Sequence, residues 1–187
     1  MELYIHIPFC ARKCAYCDFL SFPQTKEIMQ QYVEKLIQEI RWAGKQYQDR
    51  QISSVFIGGG TPSMLEAEQM AAIMRAVRDS LYIEETAEIS IEANPGTVTE
   101  EKLCTYKAAG INRISFGLQS ADTKELQLLG RIHTYEEFLE SYQMARACGF
   151  DNINVDLMSA LPGQTVESWE ETLIRVAKLE PEHISAY

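Results

Sequence analysis

Positive charge is scarce in this sequence. Seventeen Lys and Arg stand against 27 Asp and Glu, a net charge of −10, and so acidic a chain is a poor match for a phosphate backbone, which excludes nucleic acid as the main partner. Long apolar runs are missing too, so no transmembrane segment is expected. The opening Met1-Glu2-Leu3-Tyr4 has no basic region followed by an apolar run, so no signal peptide is expected. Linkers and low-complexity tracts are absent, and 187 residues suffice for one domain with a sizeable core. Cysteine is sparse and odd in number. Five cysteines do not suit a secreted disulfide framework, and a reducing, cytoplasmic location is expected. Cys104 and Cys148 fall inside helical patterns and are expected as small buried hydrophobes.

The other three form a run, Cys10-x3-Cys14-x2-Cys17, directly after the apolar stretch Leu3 to Ile7. Three thiolates so close together can face one centre, and they cannot pair off without leaving one over. They underfill a structural zinc site, which takes four ligands. An iron–sulfur cluster is held by cysteine thiolates, and with three of them a [4Fe–4S] cluster keeps one iron open. A zinc or cluster scaffold without enzymatic activity is the alternative, its fourth ligand a water or a distant residue.

Strand and helix alternate along the rest of the chain. Leu3 to Ile7, Ser54 to Ile57, Glu88 to Glu92, Arg113 to Gly117, Asn152 to Leu157 and a segment beginning at His183 read as strands. Helices are expected from about Lys26 to Tyr47, from a Ser63/Glu66 capping box to Ser80, from a Thr97 or Thr99 cap to Ala109, near Lys124 to Leu129, from a Thr134/Glu137 box to before Gly149, and from a Thr165 cap to Lys178. Six such βα units imply right-handed crossovers, a parallel sheet and an α/β fold of the (β/α) barrel kind. A full barrel takes about 250 residues, so a partial barrel cut at its sixth strand is expected, a piece of a longer protein.

Sites in such barrels lie at the C-terminal ends of the strands. Those ends deliver the cysteines, the run Gly58-Gly59-Gly60-Thr61-Pro62, Glu92, Gln119 and Asp156. No Gly-Lys-Ser/Thr follows the glycines, so they are not a Walker loop. They are either a tight turn or a place where backbone meets a ligand. Glu92 is either a solvated carboxylate or a site residue. Asp156 lies among Val155, Leu157 and Met158, where a charge needs a partner. Arg131 and His133 share a loop, with a structural role favoured for the histidine. Tyr4 and Tyr16 are most simply packing residues.

Several blocks together resemble the oxygen-independent coproporphyrinogen III oxidase family of radical S-adenosylmethionine (SAM) proteins: Tyr4-Ile5-His6-Ile7-Pro8-Phe9-Cys10, the glycine run, Glu92-Ala93-Asn94-Pro95-Gly96, Arg113 to Ser120, Gly130-Arg131-Ile132-His133, Asp156-Leu157, Leu161 to Thr165 and His183 to Tyr187. The resemblance covers essentially the whole chain. It implies a radical SAM barrel domain over 1–187, with the family's C-terminal region absent from this chain. Cys10, Cys14 and Cys17 would be ligands of a [4Fe–4S] cluster. Tyr4, Tyr16, Gly59 and Glu92 would contact S-adenosyl-L-methionine bound at the open iron. Gly60, Thr61, Gln119, Arg131 and Asp156 match positions that hold a second SAM in the oxidase. The oxidases carry a further cysteine two positions after the third ligand, where this chain has Phe19. That departure resembles the heme chaperone (HemW) branch, which implies heme or porphyrin as ligand, an electron donor and a heme acceptor protein. The alternative is decarboxylation of coproporphyrinogen III.

Overall fold

Apolar and polar residues alternate along each strand, and the alternation sorts the sheet into two unlike faces. The computed structural model describes residues 1–47 and 49–187. Six strands, β1 (Glu2–Ile7), β2 (Gln51–Gly59), β3 (Tyr82–Ala93), β4 (Arg113–Gln119), β5 (Ile153–Leu157) and β6 (His183–Ala186), pair in the order β1-β2-β3-β4-β5-β6. Every pairing is parallel. Between them lie α1 (Lys26–Gln46), α2 (Ala67–Ser80), α3 (Glu100–Ala108), α4 (Thr123–Leu128), α5 (Tyr135–Ala147) and α6 (Val166–Ala177). The sheet does not close, so the architecture is the partial α/β barrel that the pattern implies.

Ile5, Ile7, Val55, Ile57, Ile89, Ile91, Ile114, Phe116, Ile153 and Val155 join the core with the apolar stripes of the helices, such as Met29, Val33 and Ile40 of α1 and Met70, Ile73 and Val77 of α2. Each such residue, fully buried, contributes roughly 1.5–3 kcal/mol. The intervening residues face the concave side and meet one another there: Tyr4 stacks on Phe56, Glu88 meets Arg113, and Asn154 contacts Ser115, Asp156 and His183. A sheet buried on both faces would carry continuous apolar runs. Here the concave side is polar, which is why alternation was readable in a parallel sheet.

Most helix starts follow the expected caps. Thr134 and Glu137 form a reciprocal box, and Thr165 caps α6. Thr99 rather than Thr97 caps α3, because the Thr97 hydroxyl donates to the carbonyl of Asn94. The expected Ser63/Glu66 box is corrected. A 3-10 turn occupies Pro62–Met64, α2 starts three residues later than Ser63 implies, and Glu66 N–H donates to Gln69 Oε1 at 2.9 Å. Ser63 is buried at the sheet edge of the turn, where its hydroxyl meets Thr97 and the Asn94 N–H instead. β3 also begins six residues earlier than expected, since Tyr82 and Ile83 pair with Gln51 and Ile52 ahead of a register shift.

Cys104 and Cys148 are a second correction. Cys104 is exposed on α3, Cys148 is the C-cap of α5, and the two form a disulfide with Cα atoms 5.0 Å apart. The two helices pack side by side and bring together residues 44 positions apart. No local pattern encodes that meeting. Among the described residues, no helix is long and apolar enough to cross a membrane.

Candidate functional site

The cysteine loop is fastened at both ends and in the middle. Phe22 N–H donates to Pro8 O and Cys10 N–H to Phe22 O, closing the loop onto the end of β1. Ala15 N–H reaches Leu129 O beyond α4. Gly60 and Thr61 N–H donate to Ile7 O and Phe9 O at 2.8 and 2.7 Å, locking the glycine run against the same strand end. A Cβ on Gly60 would lie 2.6 Å from the Phe9 carbonyl oxygen, and one on Gly59, at φ +119, 2.6 Å from the His6 ring. Both readings of the glycines therefore have a physical basis: a close backbone approach, and one that borders a cavity.

That cavity has a volume of about 400 Å³. Cys10, Cys14 and Cys17, each free and half-buried, line it together with Tyr16, Gly59, Gly60, Thr61, Glu92, Gln119, Arg131 and Asp156. Of the residues that the resemblance assigns to the cluster or to SAM, Tyr4 alone stays outside the lining. It is 57% exposed on the concave face, and its hydroxyl meets His6 Nδ1 at 2.9 Å. His6 Nε2 in turn meets Leu20 O. Phe19, 69% exposed, stands at the cavity rim beside the exposed Leu20.

Glu92 packs its carboxylate on the glycine run, where Gly59 N–H donates to Oε2 at 3.0 Å. Burial pushes its pKa up to about 7, the Gly59 hydrogen bond opposes the rise, and Asp156 adds to it. The carboxyl group is thus poised to change charge near neutral pH, or to be fixed as an anion by a cation placed in the cavity. Asp156 accepts from Ser115 Oγ at 3.1 Å and from Asn154 Nδ2 at 2.9 Å. Gln119 lines the cavity with φ +75, a backbone conformation that costs a non-glycine residue energy and persists where its surroundings fix it. His133 is buried, and burial with the nearby Arg131 pushes its pKa down to about 4, so it is a neutral structural ring.

Thr61 and Arg131 line the cavity and also bond to protein. Thr61, 2% exposed, places Oγ1 3.3 Å from Cys10 Sγ. Arg131 donates to Gly117 O, to Asn94 Oδ1 at 2.8 Å and to Cys14 Sγ at 3.8 Å. Asn94 and Ser115 also line the cavity, and Asn154 supports it by donating to Asp156, although the sequence singles out none of the three. Asn94 lies inside the block Glu92-Ala93-Asn94-Pro95-Gly96.

The donor set suits an iron–sulfur cluster. Three free thiols line one cavity, and two of their sulfurs already meet a hydroxyl or a guanidinium. Among the described residues no three His, Cys, Asp or Glu side chains converge on a single ion. A four-iron cluster instead spreads its thiolates one to an iron.

Comparison with known proteins gives the family of the fold. The family profile of the Radical SAM superfamily matches residues 4–176. The heme chaperone HemW of Haemophilus influenzae is 42% identical over 192 residues, covering 100% of this chain and 50% of that protein. HemW of Escherichia coli is 40% identical, with the same coverages. The structure of the coproporphyrinogen III oxidase HemN of Escherichia coli, described as a radical SAM enzyme, superimposes with a TM-score of 0.90 at 34% identity, covering 100% of this chain and 44% of that one. The chain spans about half the length of the curated relatives it matches.

Proposed function

Since the chain belongs to the radical SAM superfamily, we propose that it holds a [4Fe–4S] cluster on Cys10, Cys14 and Cys17, binds SAM beside it, and serves a cytoplasmic protein that binds heme and passes it to an acceptor. The observation that carries the reading is the shared cavity, lined by three free thiols and by Gly59, Glu92 and Asp156. When bound, the cluster supplies the electron that cleaves the sulfonium of SAM, and a separate electron donor must replenish it.

The residues divide the remaining work. Glu92, once ionised, would hold the cationic ammonium of the methionine portion, and the glycine run would let backbone come close to the same ligand. Tyr16, which lines the cavity between Cys14 and Cys17, would pack against it. Tyr4 acts from the concave side of β1 through its bond to His6. Gln119 and Asp156 present polar groups to the rest of the cavity. One SAM rather than two is the reading we favour, because Thr61 and Arg131 are engaged with protein.

Heme handling rests on Phe19 and on the HemW relatives. Phe19 offers an exposed aromatic rim in place of the oxidases' further cysteine. The rival is oxidation of coproporphyrinogen III, favoured by the superposition on HemN. Anaerobic reconstitution with iron and sulfide is expected to give about four irons per chain. The reconstituted protein should then take up hemin, seen as a Soret shift, without converting coproporphyrinogen III. Turnover of the porphyrinogen would reverse the choice, and zinc uptake without a brown chromophore would remove the cluster.

A further inference from the structure

Asn94 sits at the centre of a hydrogen-bond chain whose direction can be worked out atom by atom. Arg131 Nη2 can only donate, so the Asn94 atom facing it at 2.8 Å is the amide oxygen. The amide nitrogen therefore faces Thr61, donating to Oγ1 at 2.8 Å. With its oxygen accepting, the Thr61 hydroxyl keeps its own hydrogen for Cys10 Sγ, 3.3 Å away. The polarity runs Arg131 to Asn94 to Thr61 to Cys10. The other arm of the same guanidinium, Nη1, donates to Cys14 Sγ. One cation thus reaches two of the three loop sulfurs, once directly and once through two side chains.

The chain is held from outside as well. Asn94 N–H is tied to Ser63 Oγ, and Arg131 to Gly117 O. Arg131 Nε is buried with no partner among the described residues. We propose that Thr61 and Arg131, oriented by Asn94, set the electron affinity of a cluster held on Cys10 and Cys14. Hydrogen bonds to the sulfurs are one of the levers that fix a cluster's potential. A donor aimed at a thiolate stabilises the reduced, more negative form more than the oxidised one, so it raises the midpoint potential. These are positioning residues, and the inference rests on the cluster reading above.

The test uses the reconstituted protein, poised anaerobically with dithionite, and reads the reduced cluster by electron paramagnetic resonance. One electron passes from the reductant to the cluster, and no bond forms or breaks. Thr61→Val keeps the shape and removes the donor, and its midpoint is expected to move to more negative potential. Thr61→Ser should restore the wild-type value, which a packing role for Thr61 would not. Thr61→Ala, which adds no bulk, repeats the measurement should the valine variant not fold. With Asn94→Ala already present, Thr61→Val should shift the midpoint less than it does alone, because residues in one network are not additive. Four irons per chain with unchanged midpoints in the Thr61 variants overturn the inference alone. A wild-type protein that binds no iron overturns the cluster reading and this inference together.

Discussion

Glu92 carries a carboxyl group where a charge is costly. Gly59 N–H, Asp156 and the more distant Tyr4 are the polar groups around it. Its pKa rises from 4.5 to about 7 on folding, so between those values the folded protein keeps a proton that the unfolded chain has released. Its contribution to stability therefore falls as pH rises through that window. Glu92→Gln is expected to melt several degrees above wild type at pH 8 and level with it at pH 4, measured by circular dichroism. A cation in the cavity reverses the argument. SAM binding by the reconstituted protein should strengthen from pH 6 to 8, and the glutamine variant should bind about tenfold or more weakly with no loss of iron. His133 has the opposite slope: its pKa falls to about 4, so stability is lost as pH drops below 6.5. The glutamine variant should show only that acid limb.

Helix α3 carries two side chains whose chemistry exceeds their packing role. Tyr106 is fully buried, and its hydroxyl lacks a partner among the described residues. Tyr106→Phe removes an unsatisfied polar group, so a gain of about 1 kcal/mol in urea unfolding is expected; a loss would reveal a bound water. Cys104 fixes α3 to α5 across 44 residues of chain. Loop-closure entropy puts the effect of reducing that bond at about 4 kcal/mol. Thermal melts of the apoprotein with and without dithiothreitol should differ by many degrees, and Cys104→Ser should remove the difference.

At the scale of the whole molecule, the barrel was legible because its strands alternate and its helices carry caps that act locally, as at Thr134 and Glu137. The early start of β3 was hidden by Glu84 and Glu85, which interrupt the alternation but lie within a strand that shifts register. The cavity was legible at strand ends. Its wiring was not: Asn94 looks like punctuation before a proline, and only three-dimensional neighbours show where its amide points. The Cys104–Cys148 bond was illegible for the same reason. The cysteine loop contributes no sulfur to the hydrophobic core, so Cys14→Ala should melt with the wild-type apoprotein while losing its cluster, whereas Cys104→Ala should keep the cluster. Retention of iron by the Cys14 variant would defeat the ligand assignment.

The two groups of cysteines ask for opposite handling at the bench. Air preserves the bridge on the outer helices and destroys clusters. Anaerobic reconstitution in dithiothreitol protects the cluster and opens the bridge. An aerobic apoprotein and an anaerobic holoprotein therefore differ in two covalent features at once, and about 4 kcal/mol lost at the bridge can conceal whatever the cluster adds. A faithful measure of what the cluster does for the fold needs the Cys104→Ser background, in which only one of the two chemistries remains.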